Sequence, residues 1–169
     1  MTVKRFPGYV FSQAQHAGTV AAHNHLALTN PAGSGKLIIA GGVFISSVIV
    51  GDIVTTAEPM RGWFATGVGG GTVEDVDAIG KVKSTLPDPA GVIRTDTVAI
   101  TGTLGAAWFN SPPLIGASKG SAPFVHQIPT TIPGSDTISL LPGESIVLRT
   151  EAGDVDQRWN LSIAWVEVG

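Results

Sequence analysis

The hydrophobic and polar residues of the segment 159–165 alternate with a period of two. Every second position carries a large apolar side chain, and the positions between them are small or polar. Successive side chains of a β-strand point to opposite faces of a sheet, so this pattern predicts a strand with one face in a core. The predicted core face consists of Trp159, Leu161, Ile163 and Trp165.

A similar alternation between residues 20 and 28 predicts a second strand. One face would contain Val20, Ala22, Leu26 and Leu28, and the other Ala21, His23, His25 and Ala27. Further apolar, β-branched segments lie at 36–41, 43–50, 53–66, 92–93, 97–104, 108–109 and 137–149. Turn residues separate them, and Pro142-Gly143 fits a type II turn in which glycine takes a positive φ. About eight to ten strands at this spacing predict an all-β fold.

The composition agrees with one ordered, turn-rich domain. The 169 residues include 22 Gly and 11 Pro, and these lie between apolar segments without forming a single tract. We therefore expect a single-domain jelly roll or β-sandwich over residues 19–169, with long Gly/Pro-rich loops.

The low charge content changes the expectation for the surface. Only 14% of the residues are charged, against about 25% in an average globular protein. A free monomer normally carries more charge for solubility, so part of this surface is expected to lie against partners. The net charge is −3 and the ten basic residues are scattered, which argues against direct nucleic-acid binding.

Membrane insertion and cysteine chemistry are not expected. The longest apolar run, 37–50, is interrupted by Gly41-Gly42 and is shorter than the about 20 residues that a membrane helix needs. We interpret this run as a buried pair of strands. The N-terminus lacks the apolar stretch of a secretory signal. The absence of cysteine removes disulfides and thiolate sites.

The segment Asn30-Pro-Ala-Gly-Ser-Gly-Lys36 resembles a phosphate-binding loop at first sight. That motif needs a glycine five residues before the G-K pair and a hydroxyl residue after the lysine. Here these two positions are Asn30 and Leu37. A β-branched run follows in place of a helix, so the segment is predicted to be a turn between strands.

Three other groups of residues are candidate chemical sites. Ser118 lies in a G-x-S-x-G pattern, but prolines flank it and the order of downstream His126 and Asp136 does not suit a catalytic triad. His23 and His25 have a spacing that some metal sites use, without an evident third ligand. Neither the Glu74–Asp77 cluster nor the Glu151–Asp156 cluster fits a calcium loop. We expect solvated turns and polar faces, and predict no catalytic, cofactor or metal site.

Two segments together resemble a known class of proteins. The first is the Leu28–Lys36 turn with the following β run. The second is Leu-Leu-Pro-Gly-Glu-Ser-Ile-Val-Leu with the closing Trp-x-Leu-x-Ile-x-Trp-x-Glu strand. The combination, across 28–50 and 137–168, resembles small all-β structural proteins of tailed-bacteriophage virions. The resemblance implies a jelly-roll-like domain without enzymatic activity.

The resemblance implies two roles for such a chain. The first is a capsid decoration (cement) protein that binds the outer capsid lattice. The second is a tail or fibre module that binds a host surface receptor. The implied partners are the major capsid protein or another virion protein, together with further copies of the chain in a homo-oligomer, with a trimer favoured. The implied location is the virion, which is assembled in the host cytoplasm.

Residues 1–18 are predicted to form an N-terminal arm. The segment lacks a long period-two pattern but contains Phe6, Tyr9 and Phe11. Aromatic residues are enriched in interface cores, so we expect these three to contact a neighbouring subunit. The alternative is that Phe6 and Phe11 close one end of the domain's own sandwich.

Overall fold

The computed structural model describes residues 8–17, 19, 21–51, 59–110, 124–128, 138–152 and 155–169. Within these residues the chain forms twelve β-strands, one 3-10 helix (Val76–Ala78) and no α-helix. The strands are β1 (Gly8–Ala17), β2 (His23–Thr29), β3 (Leu37–Ile49), β4 (Arg61–Thr66), β5 (Val68–Val73), β6 (Gly80–Lys81), β7 (Val92–Ile100), β8 (Leu104–Asn110), β9 (Phe124–Ile128), β10 (Ser139–Leu140), β11 (Glu144–Thr150) and β12 (Gln157–Val168). The predicted all-β fold is confirmed, with more strands than the eight to ten expected.

The strands form two antiparallel six-stranded sheets. Sheet A has the order β10-β3-β12-β1-β6, and β9 also pairs with β3. Sheet B has the order β5-β7-β2-β11-β4-β8. Strands β9 and β10 run in the same direction along one edge of β3, opposite 43–47 and 38–39 respectively. They therefore occupy one strand position in two pieces.

The pairing of strands from opposite ends of the chain defines a jelly roll. Strand β1 pairs with β12 in sheet A, and β2 pairs with β11 in sheet B. The next pairs alternate in the same way, β3 with β10 in sheet A and β4 with β8 in sheet B. This alternation arises when one long antiparallel ribbon is rolled into two facing sheets. Strands β5, β6 and β7 are additions to that eight-position pattern.

The closing strand, β12, lies in the centre of sheet A and supplies four large side chains to the core. Its odd-numbered residues are buried along its whole length, from Gln157 to Glu167. The prediction that Trp159, Leu161, Ile163 and Trp165 form a core face is confirmed. They pack against the inward-facing residues of sheet B, among them Leu26, Leu28, Ile93, Ile146 and Leu148.

The N-terminal arm prediction is wrong for residues 8–17. These residues form β1, which lies between β12 and β6 in sheet A. Tyr9 and Phe11 are 1% and 4% exposed and belong to the domain's own core. The reason is the long antiparallel pairing with β12, which holds β1 in the sheet although its own apolar alternation is short. Phe6 lies outside the described residues.

Strand β3 is one continuous strand, although the sequence indicated two. Its pairing with β12 changes register between Ala164 and Trp165, opposite Gly41. One extra residue in one strand of an antiparallel pair is a β-bulge, which bends the strand without ending it. The Gly41-Gly42 pair therefore produces a bulge where a turn was expected.

The outer face of sheet B is covered by the chain itself. Strand β7 pairs with β2 through residues 92–95, and Asp96 then takes a positive φ of 52°. Strand β7 pairs with β5 on both sides of Asp96, and Val98 packs with Ala27, Ala65 and Val147 in a second apolar cluster. Strands β5 and β7 thus form a flap over this face, which the Asn24 side chain holds by donating to the Val98 carbonyl at 2.8 Å.

Candidate interaction surface

The outer face of sheet A has a composition suited to permanent contact. We define this outer face by the outward residues Val10, Ser12, Ala14, Ile39, Phe44, Ser46, Val48, Asn160, Ser162, Ala164 and Val166. None of these side chains is charged, and Arg158 lies at one end of the set. Interface cores are depleted in charged residues in the same way.

Phe44 is the aromatic residue at the middle of this outer face. It lies opposite Ser162 in the β3–β12 pair, and its side chain is 40% exposed. A Cβ built on Gly42 would lie 3.2 Å from the Phe44 ring, so the ring rests on the glycine backbone. The glycine therefore allows the ring to lie against the sheet and to present its other side outward.

Short polar side chains are paired with each other around Phe44. Ser12 donates to the Ser162 hydroxyl at 2.9 Å, and Asn160 donates to the Ser46 hydroxyl at 3.0 Å. These pairs join β1 to β12 and β12 to β3. These polar groups already have hydrogen-bond partners, so burying them against another protein costs less desolvation energy than burying unpaired groups.

A shallow hollow of about 290 Å³ lies on the same outer face. Ser12, Ala14, Phe44, Ser46 and Asn160 line it, together with backbone and side-chain atoms of their neighbours. The hollow therefore combines one exposed aromatic ring with short polar side chains. The sequence carried part of this signal, since Asn160, Ser162 and Ala164 were the predicted outer positions of the closing strand.

The 30–36 segment is a structural turn, as predicted. Asn30 is buried, and its side-chain amide donates to the carbonyls of Lys36 and Leu140 at 2.8 Å each. Ser34 donates to the Asn30 side-chain oxygen at 2.6 Å, and Gly35 takes a positive φ of 63°. Lys36 extends to the carbonyl oxygen of Gly169 at 2.5 Å. Asn30 therefore fixes the β2–β3 turn onto the β10–β11 turn.

His23 and His25 lie together at the other end of the sandwich. Their rings contact edge-to-face with 4.7 Å between centroids, and His25 also packs 6.5 Å from Trp159. His25 is buried and its Nε2 lies 2.9 Å from the Thr150 hydroxyl. Burial lowers the pKa of His23, and the Asp96 carboxylate partly opposes this shift.

The remaining candidate residues contribute to local structure. Glu74 accepts a hydrogen bond from the Thr95 hydroxyl, and Asp75 caps the 3-10 helix by accepting from the Asp77 amide. Arg149 donates to Glu151 and lowers the pKa of that carboxyl. Ser118 lies outside the described residues. The described ranges contain no group of three His, Asp or Glu side chains placed to hold a metal ion.

A second concave region lies at the edge of the sandwich beside β4 and β8. It is a groove of about 400 Å³ lined by an aromatic ring, three hydroxyls and a carboxylate: Phe64, Thr66, Thr103, Ser139 and Glu144. The Glu144 carboxylate already accepts from the Leu141 amide at 2.8 Å.

Comparison with known proteins identifies no relative for this chain. No protein-family model matches it, and no curated protein or solved structure matches it either. In the part of the chain that the structure describes, no helix is long and apolar enough to cross a membrane.

Proposed function

We propose that the protein is a structural component of a tailed-bacteriophage virion, in the role of a capsid decoration protein. The observation that carries the proposal is the uncharged outer face of sheet A on a jelly-roll domain. The jelly roll is a common architecture of virion proteins, although the fold alone does not define a function. The sequence resemblance described above supports the same role.

The contrast between the two outer faces supports an assembly role. The chain covers the outer face of sheet B with its own β5–β7 flap. The outer face of sheet A instead exposes Phe44 among small, mutually paired side chains. Exposed apolar residues grouped on one face can mark an interaction site.

The proposed partners are the major capsid protein or another virion protein, and further copies of the chain. The resemblance favours a trimer as the basic oligomer. The site of action is then the virion surface, after assembly in the host cytoplasm. No catalytic or cofactor chemistry is part of this role.

The alternative is a tail or fibre module that binds a host surface receptor. The edge groove favours it, because an aromatic ring beside the Thr66, Thr103 and Ser139 hydroxyls suits a sugar ring. A glycan array with purified protein examines this alternative. Specific binding that Phe64→Ala abolishes, with Phe44→Ala as the matched control, would favour the receptor role over decoration.

Immunogold microscopy of virus particles tests the location. Antibodies against the protein should label the whole head surface if the chain is a decoration protein. Label confined to the tail would favour the fibre module. Particles without label, from cells in which the protein is produced, would overturn the virion proposal.

A further inference from the structure

We propose that the interior of the sandwich contains a binding site for one ordered water molecule, held by the side chains of Ser47 and Gln157. The inference goes beyond the virion role and does not depend on it. It rests on the burial of these two polar groups, on their positions in neighbouring strands and on the apolar residues around them.

Ser47 of β3 and Gln157 of β12 are buried, with 2% and 1% of their surfaces exposed. The Ser47 hydroxyl oxygen and the Gln157 amide nitrogen have no hydrogen-bond partner among the described residues. In folded proteins the large majority of buried polar atoms do have a partner, which is either a protein group or an ordered water. These two atoms therefore indicate a bound water.

The other buried polar residues show that the pair is exceptional. Each of them has a side-chain hydrogen bond to another described group, and this set consists of His25, Asn30, Thr95, Ser145, Thr150 and Glu167. The two exceptions are also close to each other in the fold. One shared partner is the simplest way to satisfy both.

The strand register places Ser47 and Gln157 at diagonal positions of one ladder. Ser47 lies directly opposite Trp159, and Gln157 precedes Trp159 by two residues on the same buried face. Diagonal neighbours of this kind are roughly 7–8 Å apart, which is within reach of a long side chain. The Gln157 side chain extends across part of this distance, and one water can bridge the remainder.

The surroundings favour water over an ion. The nearest inward residues of the same two strands are Ile45, Ile49 and Leu161, which are apolar and buried. An ion among them would lose its hydration without gaining an opposite charge. The Gln157 amide nitrogen only donates, whereas the Ser47 hydroxyl both donates and accepts. A water molecule matches both groups, and the small serine between two isoleucines leaves room for it.

A high-resolution crystal structure of the full chain tests the site directly. It should show one water within about 3.2 Å of both the Ser47 hydroxyl oxygen and the Gln157 amide nitrogen. A direct hydrogen bond between the two side chains would overturn the proposal. So would a dry gap, or a water bound to only one of them.

Thermal unfolding gives an independent test through the sign of the shift. If the water is bound, Ser47→Ala removes one of its partners and should lower the melting temperature by about 2–4 °C. If the hydroxyl has no partner, the same change removes an unsatisfied buried group. The melting temperature would then stay the same or rise, which would overturn the site. Gln157→Met keeps the length of the side chain and should also lower the melting temperature.

The double variant shows whether the two residues share one water. The combined loss for Ser47→Ala with Gln157→Met should be smaller than the sum of the single losses, because either change alone already weakens the same water site. Ser46→Ala is the matched control, since Ser46 is the neighbour of Ser47 in β3 and bonds to Asn160 instead. Its effect should add to that of Gln157→Met. Additive losses for Ser47 and Gln157 would contradict a shared water.

Discussion

Phe11 of β1 lies directly opposite Ile163 of β12 in the antiparallel ladder of sheet A. Both side chains are buried, and the neighbouring pair places Tyr9 opposite Trp165 with 5.6 Å between ring centroids. The first described strand of the chain is therefore held by the last. Burial, with smaller effects from Glu167 and Asp88, raises the pKa of Tyr9, which donates to the Pro87 carbonyl at 3.2 Å.

Phe11→Ala should destabilise the domain strongly. Removing a buried aromatic ring typically costs about 3–5 kcal/mol, a large part of a total stability of about 5–15 kcal/mol. Chemical denaturation followed by tryptophan fluorescence measures the loss. Val10→Ala is the matched control. Val10 precedes Phe11 in β1 and is exposed on the outer face, so this variant should lose little stability. Equal stability of both variants would restore the arm interpretation.

Asn30→Ala should destabilise the domain by about 2–4 kcal/mol, because one buried and one partly buried carbonyl group lose their donor. The carbonyls of Lys36 and Leu140 are the groups affected. Lys36→Ala should have a small effect, since its ammonium group makes an exposed contact. Thermal unfolding of both variants measures the difference. A stable Asn30→Ala together with ATP binding that depends on Lys36 would contradict the structural role of this turn.

Glu167→Gln should cost about 1.5–3 kcal/mol through loss of a charged acceptor. One carboxylate oxygen accepts from the Gly91 amide and the Trp165 indole, and the other accepts from the Ala90 amide. The variant places an NH₂ group against one of these donors. Asp88→Asn is the control, because its ion pair with Lys81 is exposed and contributes about 0–1 kcal/mol. Similar unfolding midpoints for the two variants would show that the 90–91 segment is not fixed by Glu167.

Two glycines of β5 should respond differently to substitution by alanine. Gly71 has a positive φ of 62°, and a Cβ there would overlap the Asp96 carbonyl oxygen. Gly69 has no atom within 4 Å of its Cβ position. Gly71→Ala should therefore release the flap and increase hydrogen exchange at Val98, whereas Gly69→Ala should not. Equal protection in both variants would mean that the flap does not depend on this close approach.

His23 should make the stability depend on pH. Its folded pKa lies below the ordinary value of 6.5, so the unfolded chain binds more protons as the pH falls. The contribution is fully present above about pH 6.5 and is lost progressively below it. Melting temperatures between pH 7.5 and 5 should fall more for the wild type than for His23→Gln. Parallel pH profiles would show that the environment of His23 does not change on folding.

The closing strand and the turn at 142–143 were predictable because their sequence signals are local. Large apolar residues occupy every second position from Trp159 to Trp165. Pro142-Gly143 favours a turn by itself, because proline restricts φ and Gly143 takes a positive φ of 94°. Neither signal needs information from a distant part of the chain. The same holds for the turn at 30–36, whose residues disfavour a helix.

The structure departs from the sequence prediction where distant pairing or a bulge decides the outcome. Strand β1 has a short apolar alternation and is defined by its partner at the other end of the chain. A register shift between Leu148 and Arg149 lies opposite His25, which packs towards Trp159 on the inner side together with Leu26. Strict alternation had placed those two residues on opposite faces.

The low charge content predicted that some surface would lie against a partner, but it did not predict that this surface is the outer face of sheet A. Few charges indicated that some surface lies against a partner, but Ser12, Phe44 and Ser162 come from three separate strands. They become neighbours only through the pairing of β1, β12 and β3. Their proximity is therefore a result of the topology.

The copy number of the chain in purified virus particles tests the central claim most directly. Quantitative mass spectrometry of virus particles, purified from cells that carry the gene for this chain, gives this number relative to the major capsid protein. A decoration protein should be present in on the order of hundreds of copies, following the symmetry of the capsid. About six to a hundred copies would favour the tail or fibre role, and absence from intact particles would contradict both.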